Sequence, residues 1–469
     1  MIRDITKGNP AKLIIFFTIP LLIGNLFQQF YSIADTLIVG RTLGVNALAA
    51  VGCTGSIMFL IIGFAQGITS GFSIITAQRF GAGDEQGVRQ SYAASIILSL
   101  LITIVLTIVS VILARPILEI MHTPPEIIED AYNFIIVIYW AIIVSVLFNL
   151  FSNVIRALGD SRTPLLFLIA ASILNIILDF ILILNFSMGV SGAAWATTIS
   201  QAFSAILCLI YITKKMPILK LHKKDWYLTK EILWEHLRVG IPMGFQASII
   251  AIGAIILQFA LNNLGEVSVA AYTAAQKIDI IAIQPMMSFG ITMATYVAQN
   301  YGANKIKRIH IGVKQCSIIS VGFSIVVGAI NILAGQWMIK LFVGDGQPQV
   351  VSLAQIYLNI NGAMYFLLAL LFVYRYSLQG LGQSFAPTLA GVMELCMRTF
   401  AAVIISKHLG FAGVSLANPL AWIGSCIPLG IAYYITMKKL KESSEPVAVP
   451  AKSPLCNLAL NKGNQSHRN

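Results

Sequence analysis

Charged side chains are scarce in this sequence: they make up 11% of its 469 residues, whereas 57% of the residues are hydrophobic. Soluble domains contain about 25% charged and about 45 to 50% apolar residues, so an ordinary water-soluble globule is excluded. The chain also lacks a Walker phosphate loop, a dinucleotide-binding glycine motif and any CxxC pair among its six cysteines. Because no two histidines lie at ligand spacing, we expect no metal and no cofactor. Any energy source must then be an ion gradient, or there is none.

Instead, the sequence has apolar runs that are each long enough to cross a bilayer, for which about 20 residues suffice. They predict an all-α integral membrane protein with twelve transmembrane helices in two six-helix lobes. The expected spans are residues 13–38, 47–78, 92–114, 130–154, 165–185, 192–213, 240–263, 268–299, 312–337, 352–377, 387–406 and 412–437. The predicted domains are an N-terminal lobe (1–213), a cytoplasmic basic linker (214–239), a C-terminal lobe (240–441) and a disordered, polar tail (442–469).

Basic residues outnumber acidic ones, 31 to 19, and their placement predicts the orientation. With an even number of crossings both termini share a side, and most lysines and arginines fall on that side. The opposite side has only Arg41, Arg115, Lys340 and Lys407. The positive-inside rule then makes both termini cytoplasmic, in what we interpret as the cytoplasmic membrane of a prokaryote. Phospholipid headgroups are the expected acidic neighbours of the linker, and no nucleic acid is expected as a partner. We expect a monomer.

The two halves of the chain share a weak internal repeat. Segment 77–83 (AQRFGAG) corresponds to segment 298–304 (AQNYGAN), and Pro20 corresponds to Pro242. An even number of spans in each copy makes the copies point the same way, so that a pseudo-two-fold axis along the membrane normal relates them. Carriers of this kind hold their substrate site between or within the lobes. The repeat therefore favours a transporter over a channel or a receptor.

Two aspartates lie inside predicted spans of the first lobe. Asp35 shares one face of span one with Gln28, and Asp179 follows Asn175 by four residues in span five. A charged aspartate near the bilayer centre costs about 2.5 to 3.5 kcal/mol or more, so it needs a water-filled cavity, a partner or a proton. We hypothesise that Asp35 and Asp179 form one coupled site for either a proton or a cation. A solvated, inert position near the membrane surface stays open as the alternative.

Further polar residues fall in other spans of both halves. We assign to the substrate cavity the side chains of Asn149, Asn153, Gln201, Gln246 and Asn361. In span eleven, Glu394 and Arg398 are four residues apart and are expected to form an ion pair. Lys277 and Asp279 are expected at a membrane interface, outside the site.

Pro20 lies in the middle of span one, where proline removes a backbone hydrogen bond and permits a kink. We assign it as a conformational hinge that could move the stripe carrying Asp35. Its counterpart Pro242 has no matching carboxylate, so a purely architectural kink in both halves remains open.

One motif suggests a different class of protein. Residues 81–84 (GAGD) match the GxGD string of intramembrane aspartyl proteases, with Asp84 as the acid. The string falls in a charged turn, and its copy at residues 302–304 has no acid, so we interpret it as part of a loop. The protease is kept as the alternative from outside the carriers.

In their order along twelve spans, several of these segments resemble the multidrug and toxic compound extrusion (MATE) family. They are span one from Pro20 to Asp35, the turn 78–83 with its copy 299–303, the run 156–164 (RALGDSRTP), residues 175–179 and residues 189–192. The similarity covers the chain between residues 10 and 440.

The resemblance implies two lobes in a V shape, alternating access, and export of amphiphilic, often cationic organic compounds in exchange for H⁺ or Na⁺. In the DinF-like branch of the family the first lobe carries the coupling site, and the matching positions here are Gln28, Asp35, Asn175, Asp179 and Thr197. The acids that the NorM-like branch has in its second lobe are missing, which favours coupling through the first lobe. A flippase for a lipid-linked saccharide or another amphiphile is the alternative among carriers.

Overall fold

The structure, a computed structural model, describes residues 4–121, 123–344 and 346–444, and almost all of them are helical. The α-helices are α1 (Pro10–Leu43), α2 (Val45–Gly81), α3 (Glu85–Ile120), α4 (Ile128–Trp140), α5 (Ile142–Ala157), α6 (Arg162–Phe180), α7 (Val190–Lys215), α8 (Lys230–Asn263), α9 (Glu266–Gly302), α10 (Ile306–Val343), α11 (Pro348–Gly380), α12 (Phe385–Phe400), α13 (Ser406–Ser415) and α14 (Ala417–Ser444). Turns of π-helix follow α6 (Ile181–Asn185) and α12 (Ala401–Ile405), and two 3-10 turns (Pro217–Leu219, Lys223–Trp226) precede α8.

These helices supply the predicted number of membrane crossings. In the described part of the chain, eleven helical stretches are long and apolar enough to span a bilayer, and α4 with α5 makes a twelfth that is bent by 48°. The bend interrupts the predicted span 130–154 at Ala141, where φ is −96° and ψ is 9°, outside the helical region. The prediction of an all-α membrane protein with twelve spans is confirmed.

The repeat seen in the sequence recurs in the backbone. Gly44 and Gly265 reverse the chain between α1 and α2 and between α8 and α9, with φ of 88° and 92°, a conformation that favours glycine. The two π-helical turns also occupy corresponding places, each followed by a glycine with positive φ, Gly189 and Gly410. The chain thus forms two lobes with the same helix arrangement, α1–α7 and α8–α14.

The connection between the lobes is shorter than the predicted linker 214–239, because α8 already begins at Lys230, where the Thr229 side chain caps it. The preceding residues pack on the first lobe. Leu219 is buried there, and buried Asp225 lies 3.4 Å from Arg89 of α3. Most of the predicted disordered tail lies outside the described residues, which end at Ser444.

The lobes meet at the face that carries both termini, which we call the terminal face. There the two duplicated turns lie against each other: a Cβ on Gly81 would overlap the backbone carbonyl of Gln299, and a Cβ on Gly302 would overlap that of Gln78. Since any other residue adds a Cβ, only glycine permits this approach. The pseudo-two-fold symmetry of the repeat therefore brings the two turns into contact with each other.

Two glutamines of these turns join the lobes reciprocally. Gln78 Nε2 donates a hydrogen bond to the carbonyl of Gly380 at 2.8 Å, and Gln299 Nε2 donates one to the carbonyl of Ala157 at 2.7 Å. Each acceptor is the last residue of a helix in the other lobe, where carbonyl groups lack a partner within the helix. We call Gln78, Gly81, Gln299 and Gly302 the terminal gate.

Away from the terminal face the lobes separate. Among the described residues, the hydrogen bonds between lobes reach only as far as Asn25 with Ser288, at 3.1 Å. Along α2, Gly63 is the glycine furthest from the terminal face at which an added Cβ would contact the second lobe, 3.5 Å from Ala247. Both contacts fall halfway along their helices. The gate is closed, and a cleft between the lobes opens to the face opposite the termini.

Candidate ion-coupling site and central cleft

Two carboxylic acids of the first lobe face each other between α1 and α6. Asp179 is fully buried, immediately before α6 passes into its π-helical turn. Asp35 is half-buried on the part of α1 that lies beyond the contacts between lobes. The two carboxyl groups lie close enough to interact with each other. The structure thus brings together the two aspartates that the sequence places in different spans.

Thr197 of α7 connects the neighbours of this pair. Asn175, one turn before Asp179, donates a hydrogen bond to the Thr197 hydroxyl at 3.4 Å, and the Tyr31 hydroxyl lies 3.2 Å from it. Three helices are thereby held together around the carboxyl groups. Sequence reasoning missed Tyr31. Its position four residues before Asp35, on the same helical face, was the available signal.

Most of the carboxyl oxygens of the pair are buried without a donor. Asp35 Oδ1 and both carboxyl oxygens of Asp179 receive no hydrogen bond from the described residues. None of the ion pairs found there involves either aspartate. Neighbouring buried carboxylates repel each other when both are ionised, and an unpaired buried charge is costly. The arrangement is therefore chemically suited to hold a proton or a cation.

Gln28 and Pro20 lie on α1 at some distance from the carboxyl groups. Gln28 is exposed two turns from Asp35, and no hydrogen bond among the described residues joins it to either aspartate. Pro20 is buried, and α1 runs as one helix on both sides of it. Its ring removes the bond that an N–H at this position would donate to the carbonyl of Phe16.

The three cavity residues predicted in the first lobe lie close together. The Ser145 hydroxyl donates to Gln201 of α7, and the Ser145 carbonyl accepts from Asn149 at 2.8 Å. Asn153, one turn further along α5, donates to the Thr69 hydroxyl of α2 at 3.5 Å. Asn149, Asn153 and Gln201 are all partly exposed, so they retain surface that a ligand could contact.

The two cavity residues predicted in the second lobe are buried between helices. Asn361 is fully buried and donates to the carbonyls of Tyr357 and Ser415, at 3.0 and 3.3 Å. Gln246 accepts a hydrogen bond from Gln379 at 2.8 Å and is 6% exposed. Hydrogen bonds of this kind join helices within membranes. The structure therefore places both residues in helix packing and not on the open cleft.

Asp279 was wrongly placed at a membrane interface by the sequence analysis. It is 3% exposed, and it accepts hydrogen bonds from the hydroxyl groups of Tyr357, at 2.8 Å, and Tyr365. The error arose because position along a helix does not show which face is buried: residue 279 faces α11, whose Tyr357 and Tyr365 hydroxyls reach its carboxylate. Asparagine amides in turn donate to the two tyrosine hydroxyls, from Asn418 and Asn331.

The predicted ion pair between Glu394 and Arg398 is also wrong. Glu394 pairs with Arg375 of α11 at 2.6 Å, and both side chains are 5% exposed. The physical reason is that Arg375 lies inside the lobe, facing α12, where it meets Glu394 more directly than a residue on the same helix does. Arg398 instead lies beside Gly253 of α8.

Replacing Glu394 by glutamine is expected to destabilise the protein by about 3 to 5 kcal/mol, because it leaves Arg375 buried without a counter-charge. Thermal unfolding in detergent micelles would measure the loss. The matched control is Glu129→Gln, which removes an equally short pair with Arg115 (2.7 Å) whose side chains are 49% and 62% exposed; it should hardly change stability. Adding Arg375→Met to Glu394→Gln should restore most of the loss. Equal effects of the exposed and buried changes would contradict this account.

The interpretation of the GxGD string as part of a turn is confirmed. Asp84 is the N-terminal capping residue of α3, and its carboxylate accepts a hydrogen bond from the Gly87 N–H at 2.8 Å. An aspartate at this position stabilises the first turn of a helix. Its role in the fold is therefore to start α3 at the terminal face.

Twelve crossings in two duplicated lobes, with a cleft between them and a pair of acids without counter-charges in the first lobe, define the chain as a multi-pass secondary transporter of the membrane. The MatE family model matches residues 20–181 and 242–404, and the chain belongs to the MATE family. MATE proteins are ion-coupled secondary transporters of small compounds and not enzymes. The protease alternative is thereby excluded.

Curated relatives match almost the whole chain. The probable multidrug resistance protein YpnP of Bacillus subtilis is 26% identical over 94% of this chain and 99% of its own length. The multidrug export protein MepA of Staphylococcus aureus is 24% identical over 87% of this chain and 90% of its own length.

Solved structures show the same fold. An outward-facing multidrug resistance MATE family transporter of the MOP superfamily superposes with a TM-score of 0.88, at 25% identity over 93% of this chain and 98% of the other. A MATE structure in a bent conformation gives a TM-score of 0.87, at 25% identity over 94% and 98%. The two-lobe architecture predicted from the sequence is confirmed.

Proposed function

We propose that the chain is an antiporter of the DinF-like branch, which exports amphiphilic, often cationic organic compounds in exchange for H⁺ or Na⁺. The observation that carries the proposal is the pair Asp35 and Asp179, whose buried oxygens lack donors and counter-charges among the described residues. Such a pair can hold a proton or a cation in one state and release it in another. Asn175 and Thr197 orient its neighbours, and Gln28 lies on the same helix towards the lobe contacts.

Helix α1 is the element that can transmit the state of the pair to the lobe interface. It carries Asp35 in one half, and in the other half it bonds to α9 of the second lobe, through Thr18 with Thr292 at 2.8 Å and Asn25 with Ser288. Pro20 lies between these two contacts with the second lobe. A bend at Pro20 would shift Asp35 relative to the lobe contacts, so ion binding and gate opening are coupled through one helix.

The distribution of lysines and arginines indicates which side of the membrane the cleft faces. With both termini cytoplasmic under the positive-inside rule, the closed terminal gate faces the cytoplasm and the cleft opens to the outside of a prokaryotic cytoplasmic membrane. Exposed lysines and aromatic rings of the connection between lobes suit anionic lipid headgroups on the cytoplasmic side; they include Lys223, Lys224, Trp226 and Tyr227. We infer that the antiporter works as a monomer, since each lobe pair contains its own cleft.

The proposal can be tested in proteoliposomes across whose membrane a pH gradient or a sodium gradient is imposed. Adding a lipophilic cationic dye should dissipate one of the two gradients in vesicles that contain the protein, and the dye should move against its own gradient. Protein-free vesicles are the control. Ion coupling is excluded if the dye is transported while both ion gradients decay no faster than in protein-free vesicles.

A further inference from the structure

A small polar pocket lies between the lobes just above the terminal gate. Its free volume of about 20 Å³ has room for a water molecule or one oxygen of a larger group. Helices of both lobes contribute to it, and its polar lining consists of Ser70, Ser73, Asn153, Arg156, Thr295 and Tyr376. The remaining lining is aliphatic. The pocket is thus the floor of the cleft, at the point where a compound must pass when the gate opens.

Arg156 is the only charged side chain that lines this pocket. Its Nε atom is buried and has no acceptor, and none of the ion pairs among the described residues includes Arg156. Arg89 and Arg375 have carboxylate partners, Asp225 and Glu394. Arg308 and Arg398 also have a buried Nε atom without an acceptor, but neither lines this pocket. Arg156 is partly exposed towards the pocket while its Nε atom is buried. A partly buried guanidinium without a counter-charge has free donors that an anionic group can use.

We propose that Arg156 forms an anion-binding subsite at the floor of the cleft, which takes a carboxylate or phosphate group of an amphiphilic substrate. The guanidinium group presents planar N–H donors, which suit an oxygen of a carboxylate or phosphate group that enters the pocket. Thr295 and Tyr376 of the second lobe also line the pocket, and their hydroxyl groups are possible donors to the same group. This inference rests on the proposed function only in that the cleft receives the substrate.

The position of Arg156 also indicates when the subsite is used. Ala157, the next residue, accepts the hydrogen bond from Gln299 of the terminal gate. Opening the gate breaks that bond and exposes the end of α5 to the terminal face, so that an anionic group arriving from this side meets Arg156 first. The acidic pair Asp35 and Asp179 lies in the other half of the lobe and does not compete for the guanidinium.

Two rhodamine dyes that differ at one group provide the test. Rhodamine 110 carries a free carboxylate, and rhodamine 123 is its methyl ester. Binding of each dye to the protein in lipid nanodiscs, followed by fluorescence anisotropy, needs no ion gradient. The wild type should bind the acid more tightly than the ester. Arg156→Gln should weaken binding of the acid by about tenfold or more and leave binding of the ester unchanged, and Arg156→Lys should retain part of the preference.

The control variant is Arg162→Gln, which removes an exposed arginine six residues further along the chain and should affect neither dye. Benzoate should displace the acid dye from the wild type and should not displace the ester. An equal loss of both dyes in Arg156→Gln, or a wild type without preference for the acid, would overturn the anion subsite. Failure of ion-coupled transport would overturn the proposed antiport and leave these binding results untouched.

Discussion

Asp35→Asn is expected to reduce dye-driven dissipation of the ion gradient to the rate of protein-free vesicles. Asparagine keeps the size of the side chain but can neither release a proton nor supply a charge to a cation. With Asp179 as its neighbour in a buried site, the remaining carboxyl group loses the partner that makes its ionisation sensitive to binding. Binding of the dye itself should persist, because the substitution leaves the cleft open. Gradient dissipation and dye binding are measured on the same preparation.

The comparison variant for this result is Asp279→Asn in the second lobe. Asp279 accepts hydrogen bonds from two tyrosine hydroxyls, so both of its carboxylate oxygens have donors within the lobe, whereas Asp35 Oδ1 has none among the described residues. Asp279→Asn should therefore lower stability while gradient dissipation per folded molecule continues. If Asp279→Asn stops the dissipation and Asp35→Asn does not, coupling belongs to the second lobe.

Sequence reasoning reached the number of spans, the duplication and the two aspartates of the first lobe because each depends on local pattern. A span needs only an apolar run, and Asp35 and Asp179 are conspicuous because charge inside such a run is expensive. Tyr31 gave no such signal, since an aromatic residue in a membrane helix is ordinary, and its hydroxyl acquires a role only when α7 brings Thr197 to it.

The errors in the second lobe have a different cause. Whether Glu394 pairs with Arg398 or with Arg375 depends on which face of α12 meets α11, and that is decided by packing between helices far apart in sequence. The same holds for Asp279, which looks interfacial on its own helix and is buried because Tyr357 and Tyr365 face it. The lack of a carboxylate partner for Arg156 likewise cannot be predicted from its own helix, because it depends on which acceptor groups the neighbouring helices place near it.

The duplicated turns explain why a single substitution is expected to open the terminal gate. Gly81 and Gly302 are related by the pseudo-two-fold axis, and each contacts the backbone that precedes the other glycine. The gate therefore closes through backbone contact and two glutamine hydrogen bonds, beside an apolar cluster to which Ala77 of the first lobe and Ala298 of the second both belong. The backbone contact fails when either glycine gains a side chain.

Gly81→Ala is expected to prevent closure of the terminal gate, because the added methyl group overlaps the carbonyl of Gln299 and the backbone cannot yield as a flexible side chain would. Overpacking of this kind costs about 1 to 3 kcal/mol, which shifts a two-state equilibrium by about 5- to 150-fold. Spin labels can be attached at Gln86→Cys and Lys307→Cys, both exposed at the terminal face, in an otherwise cysteine-free chain. Double electron–electron resonance should show a longer distance between the labels in Gly81→Ala than in the parent chain.

Gly55→Ala is the matched control, since Gly55 lies on the same helix and an added Cβ there meets no atom within 4 Å. It should leave the label distance unchanged. Gly302→Ala should reproduce the effect of Gly81→Ala, because the repeat makes the two contacts equivalent. If Gly81→Ala leaves the label distance and the transport rate at their wild-type values, the turns do not form the gate, and closure must depend on Arg79 with Glu235 and on the contacts of α2 with α8.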